Sequence, residues 1–204
     1  MGKVKVKKKN VFIDMTAMSD VTVLLLTFFM LTSTFVKKEP VKVVTPSSVS
    51  EIKVPDKDLL TVLVDKSGKV FMSYDQTNMQ ALLEDMAGKY GMQFDAKQTR
   101  NFILMPTFGS PMNQLKDLLS VKTEEQDKML PNMGIPTDST KNGGASEFQE
   151  WIKSAYAVNP DVKLAIKADS NTPYKIVKTV MGQLQDIDKN TYYLITNLKK
   201  VEDD

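Results

Sequence analysis

At 204 residues the chain has room for one membrane helix and one modest globular domain. Its formal net charge of +2 makes no global case for nucleic acid as a partner. Cysteine and histidine are both absent, which excludes disulfides, thiolate nucleophiles, Cys/His zinc sites and histidine-based acid–base catalysis.

In chain order, residues 1–10 form a basic tail in which Lys3, Lys5, Lys7, Lys8 and Lys9 crowd ahead of an apolar run. That placement is a topology signal. Residues 11–36 are predicted to be a transmembrane helix. Val21 to Val36 reads VTVLLLTFFMLTSTFV, without a charge. Extended back to Met15, the stretch holds Asp20 as its only charged residue, and as a helix it measures about 33 Å, against about 30 Å for a bilayer core. A soluble helix of this length would carry a charged face. A cleaved signal peptide would end in small residues, whereas this run ends Thr34-Phe35-Val36-Lys37-Lys38. The expectation is a retained anchor with a cytoplasmic N-terminus, by the lysine asymmetry.

Asp20 is the anomaly in that helix. Insertion scales place an aspartate at a helix centre about 2.5–3.5 kcal/mol uphill, less toward an end. Thr16, Asp20, Thr27 and Thr34 recur at spacings of four, seven and seven, on one helical face. Leu24, Phe28 and Leu31 flank that stripe. Such a face suits protein or a thin water path better than acyl chains. Two roles fit Asp20: a hydrogen bond to a neighbouring helix, or a carboxyl that takes up and releases protons during ion passage.

Residues 37–57 are rich in Lys, Pro, Ser and Val and read as an extended linker. Within them Val41, Val43, Val44, Thr45 and Pro46 also suit a strand paired to an exposed sheet edge. A domain follows over 58–204. Leu59–Val64 and Lys69–Ser73 make a hairpin about the turn 65–68. Met79, Leu82, Leu83, Met86 and Tyr90 mark a helix stopped by Gly91. Ser110-Pro111 opens a short helix carrying Leu115, Leu118 and Leu119, and 131–145 reads as a long loop. Ser146 to Gln149 is a capping box ahead of Trp151, Ile152, Ala155 and Tyr156. Val162, Leu164 and Ile166 alternate as a strand, Pro173 starts a helix, and Thr191–Thr196 closes with another strand. The fold class expected is one N-terminal transmembrane α-helix followed by a small α+β domain, with helices on one face of a mixed sheet. No phosphate-binding glycine loop or nucleophile elbow occurs, and Asp169, at a strand end, reads as a turn or cap rather than a catalytic acid.

The segment Ile13-Asp14-Met15-Thr16-Ala17-Met18-Ser19-Asp20-Val21, with Phe29-Met30 beyond it, resembles the membrane signature of the ExbD/TolR family. That signature sets a Thr four residues before an essential Asp. Val41-Lys42-Val43-Val44-Thr45-Pro46 is similar to the family's short post-membrane motif. Val162 to Asp169 followed by Pro173-Tyr174 is similar to its strand–helix element. The resemblance covers about 10–91 and 146–200. It departs at Ala17, where many members carry proline, and at 92–145, an insertion without counterpart in compact members. It implies a subunit of a proton-driven inner-membrane motor, two copies standing within a pentameric ExbB/TolQ-like membrane protein and energising a TonB/TolA-like periplasm-spanning protein. Asp20 would carry protons, Thr16 and Thr27 would line it, and residues 41–46 would be a docking strand. The domain would be periplasmic, with protons as coupling ion, no other cofactor and no enzymatic activity. Two other readings stand beside it: a passive membrane-anchored scaffold that binds a periplasmic partner, and a flagellar-type stator subunit.

Overall fold

The computed structural model describes residues 15–33, 39–48, 55, 57–138 and 145–198. The chain divides into two units at Lys38/Glu39. The first contains helix α1 (Met15–Thr32), a run without glycine or proline to break it. Its 18 residues span about 27 Å, a little less than a bilayer core. Among the described residues no helix is long and apolar enough to cross a membrane. The predicted span was 11–36, and residues 11–14 and 34–36 of it lie outside those described.

In the second unit, β2 (Leu59–Val64) and β3 (Val70–Ser73) form the expected antiparallel hairpin. Its turn is closed by Gly68 N–H donating to the Asp65 carbonyl at 2.7 Å, with Gly68 at φ +81°. β4 (Lys163–Ala168) runs parallel to β2, and β5 (Tyr193–Leu194) parallel to β4, giving the order β3-β2-β4-β5. The sheet is therefore mixed, and the class is α+β as expected. Of the six residues predicted as the last strand, 191–196, only Tyr193 and Leu194 pair in this sheet. A separate two-stranded parallel ladder joins β1 (Ser47–Ser48) to β6 (Asn197–Leu198).

The register sorts side chains by face, since alternate residues of a strand point to opposite sides. One face carries Leu60, Val62, Val64, Val70, Met72, Leu164 and Ile166, all buried. The other carries Leu59, Thr61, Lys163 and Lys167 beside the buried Leu63 and Phe71. Helix α2 (Gln76–Tyr90) buries Met79, Leu82, Leu83 and Met86 and ends where Gly91 turns left-handed. Helix α6 (Glu147–Val158) begins with the predicted capping box: Gln149 N–H donates to Ser146 Oγ, and Ser146 N–H to Gln149 Oε1. Helix α7 (Tyr174–Gln185) buries Val180 and Leu184.

Residues 92–138 are built into this core. They form α3 (Ala96–Leu104), α4 (Met112–Ser120), α5 (Thr123–Met129) and a 3-10 turn (Leu130–Asn132). Phe102 and Phe108 from this segment stand 6.1 and 5.0 Å from the Trp151 ring of α6, all three buried. The segment also covers an edge of the sheet. Met72 and Phe108 exchange backbone hydrogen bonds of 2.7 and 2.8 Å, and Ile135 N–H donates to Val70 at 2.8 Å. Of the loop predicted at 131–145, Pro131 and Asn132 belong to the 3-10 turn, 133–138 and 145 are irregular as expected, and 139–144 lie outside the described residues.

Candidate functional site

Two places carry the residues singled out in the sequence, one in each unit. In α1, Thr16, Asp20 and Thr27 are exposed and fall on one face of the helix, while Thr34 lies outside the described residues. The helix shows apolar side chains in every direction, up to 73% exposure at Met30 and 87% at Leu31. The hydroxyls of Ser19, Thr22, Thr27 and Thr32 donate to the helix's own carbonyls at Met15, Met18, Leu24 and Phe28, at 2.7–2.9 Å. Hydroxyls in a medium without water are held in this way. Asp20 is the only charged residue of α1, and among the described residues its carboxyl has neither an ion-pair nor a hydrogen-bond partner.

The second place is residues 39–48, the described part of the segment read as an extended linker. These residues pack on the domain. Val41 is 3% exposed, Thr45 7%, and Val43 is half-buried against the core. Lys42, Val44 and Pro46 face outward. The backbone of Val44 is gripped on both sides: its N–H donates to Asp169 Oδ2 at 2.9 Å and its carbonyl accepts Ser170 N–H at 2.8 Å. Ladder pairing to β6 begins only at Ser47, two residues past Thr45. A salt bridge of 3.9 Å joins the exposed Glu39 to Lys167, a contact of small energetic weight.

Asp169 organises this grip. It follows β4, and its own N–H donates to Val64 of the central strand β2 at 2.9 Å. Its Oδ1 accepts the N–H of Asn171, closing the turn expected from the sequence, while Oδ2 holds Val44. The Asn171 N–H first, then that of Val44, keep the Asp169 carboxyl below its ordinary pKa. Its contact with residue 44, across 125 positions, was not apparent in the sequence. The one local signal was an acid placed where a parallel strand ends.

Glu147 has the opposite character. Burial first, and the like charge of Glu150, push its carboxyl up to about 6 although it accepts the N–H of Met112 at 2.5 Å. Among the described residues no cluster of acids is placed to hold a metal ion. An open groove of about 430 Å³ between α2 and α3 holds Glu84 and Arg100 over Phe94 and Ile103, without a second carboxylate.

A family model described as biopolymer transport protein ExbD/TolR matches residues 6–126, more than half of the chain. The match takes in α1, residues 39–48, the hairpin and α2. It continues through 92–126, within the stretch read as an insertion, and ends before Ser146, so the Asp169/Pro173-Tyr174 element lies outside it. No curated protein and no solved structure matches the chain significantly.

Proposed function

The chain belongs to the ExbD/TolR family of biopolymer transport proteins, and from that premise we propose that it is a subunit of a proton-motive-force-driven inner-membrane motor in which Asp20 carries the protons. One observation carries the reading. A single carboxyl stands on a helix that shows apolar side chains in every direction and whose Ser19, Thr22, Thr27 and Thr32 hydroxyls are already engaged with its own backbone. Ionisable side chains within membrane helices face partner helices or a water path and serve as proton relays in pumps and transporters. One charge crossing 100 mV releases about 2.3 kcal/mol, enough for repeated transfers to drive a mechanical cycle.

Family members work with ExbB/TolQ-like membrane proteins and TonB/TolA-like periplasm-spanning proteins, and the same partners are proposed here, with two copies of this chain inside a pentamer. The N-terminus is cytoplasmic in this reading and residues 58–204 periplasmic. Thr16, Thr27 and Thr34 form the polar face beside the carboxyl. Residues 41–46 form the docking motif. Their support is the alternation of buried Val41 and Thr45 with outward-facing Val44 and Pro46.

The test is Asp20→Asn at matched expression and partner association, with energy-dependent uptake and envelope integrity measured. Loss of both to background is expected. Full activity would sink the proton-carrier reading and leave a passive anchored scaffold.

A further inference from the structure

The groove between α2 and α3 has one wall from each helix. Helix α3 gives it Arg100, Ile103 and Leu104, which fall on one face at spacings of three and four. The opposite face of α3, with Gln98 and Phe102, is buried in the domain. Helix α2 gives it Gln80 and Glu84, one turn apart, and the Gln80 amide donates to Glu84 Oε1 at 2.9 Å. Phe94 and Ile103 make an apolar floor packed against the core, and Leu104 beside them is 49% exposed. One wall is therefore acidic and the other basic. Arg100 is the single arginine of the chain, and among the described residues no salt bridge joins it to Glu84.

We propose that this groove is a self-recognition surface, on which a second copy of the chain docks its own α2–α3 groove face to face. A patch that binds itself about a two-fold axis must be self-complementary. The groove meets that condition in charge. An axis running along it exchanges the two walls, setting the Arg100 guanidinium of one copy over the Glu84 carboxylate of the other, and the reverse. Walls of one sign would repel twice in that arrangement, whereas one acidic and one basic wall attract twice. Arginine presents a planar fork that holds a carboxylate through two parallel hydrogen bonds, which a lysine cannot copy. The same rotation brings each exposed Leu104 over the apolar floor and out of water. The contact is small, and copies held in one membrane assembly meet at a raised effective concentration that strengthens it. It belongs to the second unit and is independent of proton passage at Asp20.

The chain has no cysteine, so introduced ones report a contact without background. Full-length Glu84→Cys and Arg100→Cys chains are mixed in detergent and oxidised. A disulfide-linked pair carrying one of each is expected, while each variant alone stays unlinked. Sedimentation of the cysteine-free chain in detergent supplies the second arm. Glu84→Arg and Arg100→Glu should each weaken self-association on the order of tenfold, since two reciprocal contacts turn repulsive, and the double variant should restore it. Both side chains are exposed, so thermal melting of the domain should not move in any of these variants. No mixed disulfide, sedimentation unmoved by either reversal, or a double variant no better than the singles would overturn the proposal. Association is read here and uptake is not, so either result leaves the reading of Asp20 to its own test.

Discussion

Helix α1 and the sheet core are written in the same residues and treat them in opposite ways. Val62, Leu60 and Ile166 are completely buried in the core, whereas the valines, leucines and phenylalanines of α1 are more than half exposed. At about 25 cal/mol per Å², leaving such a surface in water is unfavourable all along the helix. The domain satisfies its apolar residues from within its own chain. The helix leaves its apolar residues uncovered by the described part of the chain, and in the proposed reading lipid or partner helices cover them.

The comparison can be broken from either side. The largest effect is expected at Trp151→Ala, which empties the centre of the Phe102–Phe108–Trp151 cluster. It should cost the domain about 3–5 kcal/mol in denaturant unfolding, with membrane fractionation unchanged. Next comes Leu25→Arg in the middle of α1, worth about 2.5–3.5 kcal/mol against insertion. The chain should leave the membrane fraction while its domain melts as before. Unaltered partitioning would mean that α1 does not meet lipid there. The smallest effect is local. Asp169→Ala removes the acceptor of the Val44 N–H and should speed amide exchange at Val44 on the order of tenfold, core strands being unaffected. Because that carboxyl titrates below its ordinary 3.8, its hold on Val44 is complete above that value and fails only as pH falls below it.

What was legible in the sequence was local. The hairpin turn at Gly68, the stop at Gly91 and the capping box at Ser146 each rest on residues within four positions of one another. Helices α3 and α5 escaped notice because they bury little: Gln98 and Phe102 in the first, Gln126 alone in the second, so no apolar period marks them. The composition of 191–196 announces a strand, but the length of a ladder is set by the partner, and β4 pairs with Tyr193 and Leu194 and takes one more hydrogen bond, from Ile195. The grip of Asp169 on Val44 joins two segments whose separation no local pattern encodes. Asp20 stood out through the cost of a charge in an apolar run, a property of composition that needs no fold.

The covering of β3 by Phe108 and Ile135 has a further consequence. A sheet normally offers two rims to which a foreign strand can add, and two free rims allow growth without end. Here one rim is already occupied by the chain itself. A second copy adding at the β5 rim would present only another closed rim outward, so edge-to-edge association stops at a pair instead of running on into a fibre.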